Sequence, residues 1–507
     1  VKIKTFHIIY LSILIFIMIT GNYISAQQVN KEHGIFDDHS DIGNPSLPGI
    51  STYDNEHQTY TMEGSGTNTW AGSDEFQYLW KKIKGDFILT ARVEFSGKGV
   101  EAHRKIGWMV RQSLQSDSPH ISATIHGDGL TSLQYRLKKG ADTKEQKMSI
   151  QGPDIIQLVR KGKTYTMSVA HWGETFVSEE LTDSTITNEA YVGLFICSHN
   201  PGVSEKAIFK NVRIEIPASA DLVPYKDYLG SNLETLEVET GDRKILCQVP
   251  YSIQAPNWTP EGKTLIFNSK GLLYNFDLTT GKAYVLNTGF ATNNNNDHVL
   301  SFDGKMIGIS HHSIDDQHQS VVYFLPVTGG NPKRVTTKSP SYLHGWSPDN
   351  KYLIYTGARN DQFNIYKIPV EGGEEIQLTY ATGLDDGSEY TPDGKFIYFN
   401  STRTGTMQIW RMKPDGSEQE QITFDTLNNW FPHISPDGKS IVFITFLSDV
   451  KPSDHPFYKH VYLRMMPVTG GKPTVIAYLY GGQGTINVPS WSPDSKKIAF
   501  ISNSELK

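Results

Sequence analysis

A short phrase returns along the second half of this chain: "WTPEGK" (258–263), "SFDGK" (301–305), "WSPDNK" (346–351), "YTPDGK" (390–395), "ISPDGK" (434–439) and "WSPDSK" (491–496). Its acidic residue falls at Glu261, Asp303, Asp349, Asp393, Asp437 and Asp494, in steps of 42, 46, 44, 44 and 57. A unit of this length that recurs in register predicts propeller blades of several strands each. Within the phrase, Pro presets φ and Gly takes a positive φ, so the tail is a tight turn between two strands. An apolar strand such as "KFIYFNS" (395–401) follows, then "QIWRMKP" (408–414) and "QEQITF" (419–424). The last copy holds only two strands. The missing pair stands at the start of the region, as "LETLEVET" (233–240) and "RKILCQVP" (243–250). Six blades with a velcro closure follow, because a ring cannot leave a sheet edge unpaired.

Upstream the pattern changes. In "FILTARVEF" (87–95), Leu89, Ala91, Val93 and Phe95 share one face, and Thr90, Arg92 and Glu94 the other. "AIFKNVRIEI" (207–216) and "DIIQLVRKGKTYTMSVAHW" (154–172) alternate in the same way. Alternation with short turns and hardly any helical period predicts an antiparallel sandwich, a jelly roll, over 27–217. "ASADLVPYKDYLGSN" (218–232) has the small residues and proline of a linker, and the propeller takes 233–507. The expected fold is all-β.

The first residues, "VKIKTFHIIYLSILIFIMITGNYISA", combine Lys2 and Lys4, an apolar run and a small-residue site at Ser25-Ala26. They read as a signal peptide over 1–26, cleaved near Ala26. The expected setting is periplasmic or secreted, with membrane contact only during export. With 47 basic and 54 acidic residues the formal charge is −7, and no basic footprint argues for nucleic acid. The only cysteines, Cys197 and Cys247, fall in different predicted domains, which favours two separate buried thiols over a pairing in an oxidising compartment, and both stay open.

Two resemblances follow from these motifs. "GSGTNTWAGSDEFQYLW" (64–80), "GDFILTARV" (85–93), "IGWMVRQSL" (106–114) and "LQYR" (133–136) resemble the concanavalin-like, laminin-G-like jelly rolls of secreted bacterial carbohydrate-active proteins. That resemblance implies sugar binding or an accessory role, with Trp70, Arg111, His120, Tyr135 and Trp172 as candidates by residue type. The repeat resembles the TolB-type propeller, which implies an exported setting and little about chemistry.

Gly-x-Ser-x-Gly, Walker and His-Glu-x-x-His signatures are missing. What remains is positional. The first strand of each blade lines the channel, and its leading residues approach one mouth. Five and four places before the acidic anchor stand His298, His344, Glu389 and His433, in four different blades. These four are the candidate catalytic groups, and His298, His344 and His433 the candidate ligands of a divalent metal ion, since neutral imidazoles suit such ions. Arg359 and Arg403, in equivalent places of neighbouring blades, are candidate clamps for an anionic substrate. Asp385, Asp386, Asn429, Trp430 and His312 complete the candidate substrate-binding set. The long insertion "SDVKPSDHPFYKH" (448–460) offers His455 and His460 as a lid. Against all of this stands a bland reading, in which a wet propeller channel is polar without any ligand.

Three functions stay open. One is an exported carbohydrate-interacting protein that binds a glycan at the channel mouth. The second is a metal-assisted lyase or hydrolase of acidic saccharides. Oligogalacturonate lyases resemble this chain in their TolB-like blades, but their ligand pattern does not map here residue by residue and their blade count differs. The third is a TolB-type periplasmic scaffold that binds a cell-envelope protein.

Overall fold

The computed structural model describes residues 24–25 and 32–506. The expected signal peptide, apart from Ile24–Ser25, lies outside the described residues. No helix among the described residues is long and apolar enough to cross a membrane.

The N-terminal half is two seven-stranded antiparallel sheets around one core. The first runs Lys144–Lys147, Thr131–Arg136, His120–His126, Lys105–Arg111, Glu189–Cys197, Phe76–Lys84, Asp38–Ile42. The second runs Val177–Thr182, Thr164–Ala170, Ile155–Lys161, Phe87–Phe95, Glu205–Glu215, Thr59–Gly64, Ile50–Asp54. Trp108, Val110 and Leu194 from the first pack against Leu89, Ala91 and Leu158 from the second. The expected alternation is present in Phe87–Phe95, where Leu89, Ala91 and Val93 face that core. The opposite face of this strand is not left to water. Ile88 packs on Leu229, Phe457, Tyr458 and Tyr480, and Arg92 lies over the Trp172 ring and donates to Thr240 O.

The C-terminal half is a ring of six blades, four-stranded in the second to fifth, with Ile24–Ser25 added as a fifth strand on the outer edge of the first. Five follow the chain, for example Asp385–Tyr390, Ile397–Ser401, Gln408–Met412 and Glu420–Gln421. The sixth joins both ends of the region. Gly230–Glu237 pairs along its whole length with Lys497–Ser504, from Gly230 opposite Ser504 to Glu237 opposite Lys497. Arg243–Val249 adds the outer strand, and a bridge between Trp491 and Ile498 the inner one. This is the closure the sequence predicts, with one adjustment: the strand claims Gly230, Ser231 and Asn232, which composition places in the linker.

The repeated turn is built the same way in five of the six blades. Ser435 Oγ donates to Asp437 Oδ1 at 2.6 Å, which also accepts from Lys439 N at 3.1 Å, and Gly438 takes φ +70°. Ser347–Asp349, Thr391–Asp393 and Ser492–Asp494 repeat the bond at 2.6, 2.7 and 2.6 Å. The acidic anchor therefore closes a turn by local bonds to a Ser or Thr hydroxyl and a backbone N–H, and in Asp303, Asp349, Asp393 and Asp437 it also pairs with the lysine two residues on.

The halves are clasped together. Gln58 exchanges two 2.9 Å bonds with the Ile245 backbone, in the manner of a sheet partner. Val475 N donates to Gly173 O, and Tyr458, Tyr462 and Tyr480 accept from the backbone N–H of Leu229, Phe176 and Ala218. Beneath these, Glu234 on the closing strand accepts from Arg213 of the sandwich at 2.6 Å and from Arg243 at 2.7 Å. Cys197 and Cys247 are buried free thiols in the sandwich and the closing blade respectively.

Candidate functional site

The mouth of the propeller channel opens into a cavity of about 810 Å³, the size range of small-ligand sites. Blade loops and first strands supply Tyr251, Asn268, Lys270, Asn293 to Asp297, Tyr342 and His344. The linker adds Tyr225 and Tyr228, and the long insertion adds His455 and Phe457. The insertion is thus a roof over the cavity. His455 sits edge-on to Trp430 and Phe431, with ring centroids 4.5 and 5.4 Å away. His460 instead packs beside Tyr480, outside the cavity lining.

At the floor, His344 Nε2 lies 2.8 Å from Asp386 Oδ1. The oxygen is off the N–H direction, and Nε2 has no directed hydrogen bond, so the contact is an ion pair more than a hydrogen bond. Asp386 Oδ1 accepts instead from Thr356 Oγ1 at 2.6 Å and Gly387 N at 2.8 Å. Burial alone would push the Asp386 carboxyl up, but the His344 charge and these donors bring it down to about 2. Burial disfavours the His344 imidazolium, and the Asp386 charge outweighs that and raises its pKa. Asp297 stands across the floor. Burial lifts it to about 6, with the Asp386 charge adding to the rise and His344 opposing it.

Asp297 gives a pH prediction. Its folded-state pKa is raised above the ordinary 3.8 to about 6, so its contribution to stability is full below about 4 and is lost as pH rises through 6. Asp297→Asn fixes the neutral form. Thermal unfolding should show the variant gaining on the parent between pH 4.5 and 7.5. A gap that stays constant over that range counts against a protonated Asp297.

The three histidines singled out in the sequence do not meet. His298 is fully buried, its Nε2 3.2 Å from Ile266 O of the preceding blade, and burial lowers it to about 4. His433 spends both nitrogens: Nδ1 on Glu389 Oε2 at 2.7 Å and Nε2 on Ile486 O at 2.7 Å. Glu389 also accepts from Ile434 N at 3.0 Å, and Trp491 Nε1 donates to His433 O at 3.0 Å. Glu389 and His433 are a tie between blades. Only His344 faces the cavity, so the expected metal trio does not fit one ion. A metal would need a free nitrogen lone pair, and both His433 nitrogens instead face acceptor oxygens as N–H donors.

The expected clamps are also occupied. Arg359 is paired with Glu375 at 2.8 Å and donates to Pro340 O at 2.7 Å. Arg403 is paired with Asp385 at 2.9 Å and donates to Gln419 at 2.6 Å. Both ion pairs hold strands within their blades, and neither arginine lines the cavity. Asn429 is buried and bonded to Thr445 and Arg464, and Trp430 is in the core with Val442 and Ile444. Of the expected substrate set, Asp386 and His312 line the cavity. Sequence reasoning gave no site role to the amide side chains Asn268, Gln254, Gln483 and Asn487, or to Tyr342. The run "NNNND" (293–297) was the available signal.

In the sandwich, Arg111 is fully buried on Asp74 at 2.6 Å, and His120 is buried with Nε2 3.3 Å from Thr143 Oγ1. Trp172 packs on Gly241 between the halves, which leaves Trp70 exposed and Tyr135 half-buried.

Comparison with known proteins agrees with the ring. A family model described as TolB beta propeller domain matches residues 344–451. An uncharacterized protein of Agrobacterium fabrum is 44% identical over 272 residues, 54% of this chain and 92% of the relative. A solved TolB-type structure from Agrobacterium tumefaciens is 43% identical, with TM-score 0.53, covering 55% of this chain and all of that one. TolB from Acinetobacter baumannii is 16% identical, with TM-score 0.40, over 64% of this chain and 79% of that one.

Proposed function

This chain belongs, through its propeller, to the TolB-like β-propeller family, and from that premise we propose that it is an exported binding scaffold whose working surface is the roofed channel mouth. The occupant is an extended segment of a cell-envelope partner protein. The observation that supports this is the carboxamide wall set among Tyr251, Tyr342 and Phe431, in which Gln254, Asn268, Asn294, Asn295 and Asn487 donate within the protein and fix the wall's shape, and Asn293 and Asn296 present carboxamides to the cavity. Carboxamides donate and accept at once, which suits the alternating N–H and C=O groups of an extended backbone. The rings receive its side chains.

Charge gives an acidic saccharide little net attraction at this mouth. Asp297 and Asp386 face the cavity beside Lys270 and His344, His344 is paired with Asp386, and Arg359 and Arg403 are spent on Glu375 and Asp385. An added carboxylate would have Lys270 as its one lysine or arginine partner in the lining. A neutral glycan is the second reading, favoured by the half-buried rings of Tyr251 and Tyr342 in the cavity lining. The sandwich, in this proposal, is a concanavalin-like accessory module.

Fluorescence polarisation with a library of extended uncharged and basic peptides, beside neutral oligosaccharides and oligogalacturonate, tests the proposal. Peptides should bind, and Asn293→Trp, an exposed rim position, should weaken them at least tenfold by filling the mouth. Sugar binding without peptide binding would overturn the peptide reading. Unsaturated-product absorbance on a uronate polymer would overturn the scaffold.

A further inference from the structure

The sandwich carries a histidine cluster far from the channel's chemistry. Three connections meet at one end of it. They follow Phe87–Phe95, join His120–His126 to Thr131–Arg136, and follow Glu189–Cys197. They bring His103, Asp128 and His199 beside His126, which ends its strand.

The backbone holds this arrangement. Gly127 N donates to Arg104 O and Asp128 N to Ala102 O, both at 2.9 Å. His103 Nδ1 and Asp128 Oδ2 are thereby 4.0 Å apart. One ligand-type atom each from His103, His126 and Asp128 lies within 4.8 Å of the others. The His103 ring is edge-on to both His126 and His199, with centroids 5.7 Å away in each case. Ligand atoms about 2.0–2.2 Å from a tetrahedral ion sit roughly 3.4 Å from one another. Rotation of the exposed His103 and Asp128 side chains closes that gap.

Two nitrogens in this cluster have no partner. His126 is 6% exposed, and its Nδ1 makes no hydrogen bond. His199 Nδ1 is likewise buried without a partner. A buried imidazole nitrogen in that state is costly unless something arrives to use it. The other nitrogen of His126, Nε2, is 3.0 Å from Gln134 Nε2, and Gln134 Oε1 is itself unpartnered. Turning that amide over lets its oxygen accept from Nε2–H, which frees the Nδ1 lone pair. This is how outer hydrogen bonds orient a metal-bound imidazole. One group opposes a cation: the Lys105 ammonium, which is held by Asn68 Oδ1 at 2.6 Å. Asp128 and the nearby Glu101 and Glu145 carboxylates offset it.

We propose that His103, His126 and Asp128, with His199, form a binding site for a first-row divalent cation of the zinc class. Three imidazoles and one carboxylate suit such an ion better than calcium or magnesium. The ion would tie three loops at one end of the sandwich.

The test uses the full chain, stripped with chelator and titrated with Co²⁺ alone, then Zn²⁺ alone. One equivalent of Co²⁺ should give a visible d–d band that Zn²⁺ bleaches, and Zn²⁺ should raise the melting temperature. His103→Ala and Asp128→Asn alter exposed side chains and should leave the fold intact by circular dichroism. Each should weaken binding at least tenfold and abolish the thermal gain. His39→Ala serves as control, because His33, Asp38 and His39 form the second such group among the described residues. A folded protein that shows no Co²⁺ band overturns the proposal. So does a band that survives both variants or disappears only with His39→Ala.

Discussion

Glu234→Ala should destabilise this chain by about 3–5 kcal/mol, the cost of leaving buried charges without their partner. Glu234 is completely buried and accepts from Arg213, Arg243 and Ser502 at 2.6, 2.7 and 2.6 Å. Arg213 comes from the sandwich, Arg243 from the closing blade and Ser502 from the last strand, so one carboxylate joins both halves and both ends of the ring. Burial opposes its charge, but the two guanidiniums bring its pKa down to about 2, so it stays ionised. Truncation leaves two buried guanidiniums facing each other. Equilibrium denaturation, with proteolysis at the linker as a second readout, measures the loss. A change under 1 kcal/mol would mean that the clasp contributes little.

Glu215, in the same cluster, behaves oppositely. Burial pushes its carboxyl from 4.5 up to about 8. The neutral form is favoured in the fold, so stability is full below about 4.5 and declines as pH rises through 8. Glu215→Gln holds that neutral form and should therefore gain on the parent between pH 5 and 8. The contrast separates a charge that is required from one that is only tolerated.

Trp430→Ala should cost about 3–5 kcal/mol through lost burial and a residual cavity, whatever it does to binding. The ring is 0% exposed and packs with Phe431, Val442, Ile444 and Phe446 under the roofing insertion. Its Nε1 has no partner, so Trp430→Phe discards an unsatisfied donor and should cost under about 1.5 kcal/mol. Denaturation curves of both variants, beside the peptide titration, decide the matter. If Trp430→Phe kept its stability and abolished binding, the ring would touch the ligand after all.

Much of the architecture was legible in the residues. The Pro-Asp-Gly turn is local chemistry, and Ser347, Thr391, Ser435 and Ser492 close it with the same bond to the acidic anchor. The spacing of that anchor counts blades because each blade must repeat to bury its faces. The unfinished last copy and the spare pair of strands at 233–250 indicate the closure for the same reason. Alternation in Phe87–Phe95 identifies its core face. It does not say that the other face meets a propeller instead of water, since Thr90 and Arg92 look like solvent residues.

The site was less legible, and the reason is a bulge. His298 and His344 stand at the same distance before their anchors, yet one is locked on Ile266 O and the other faces the cavity. In the third blade the register slips between Leu343 and Gly345, so His344 is itself the unpaired extra residue. In the second the slip comes earlier, between Asn294 and His298, and His298 is back in register opposite Ile309. The fifth blade slips between Trp430 and His433, with Phe431 at φ +55°. One inserted residue, as in the third and fifth blades, turns every later side chain to the opposite face of the strand, whereas the two inserted in the second blade leave the face unchanged. Counting along the chain from a turn therefore assigns blades correctly and faces wrongly. The local sequence dictates turns, strands, blade number and closure, because each depends on neighbours a few residues away. The identity of the cavity residues, the pairing of Glu234 across the halves and the meeting of His103 with His126 and His199 depend on where distant strands slip and dock, and only the folded chain settles that.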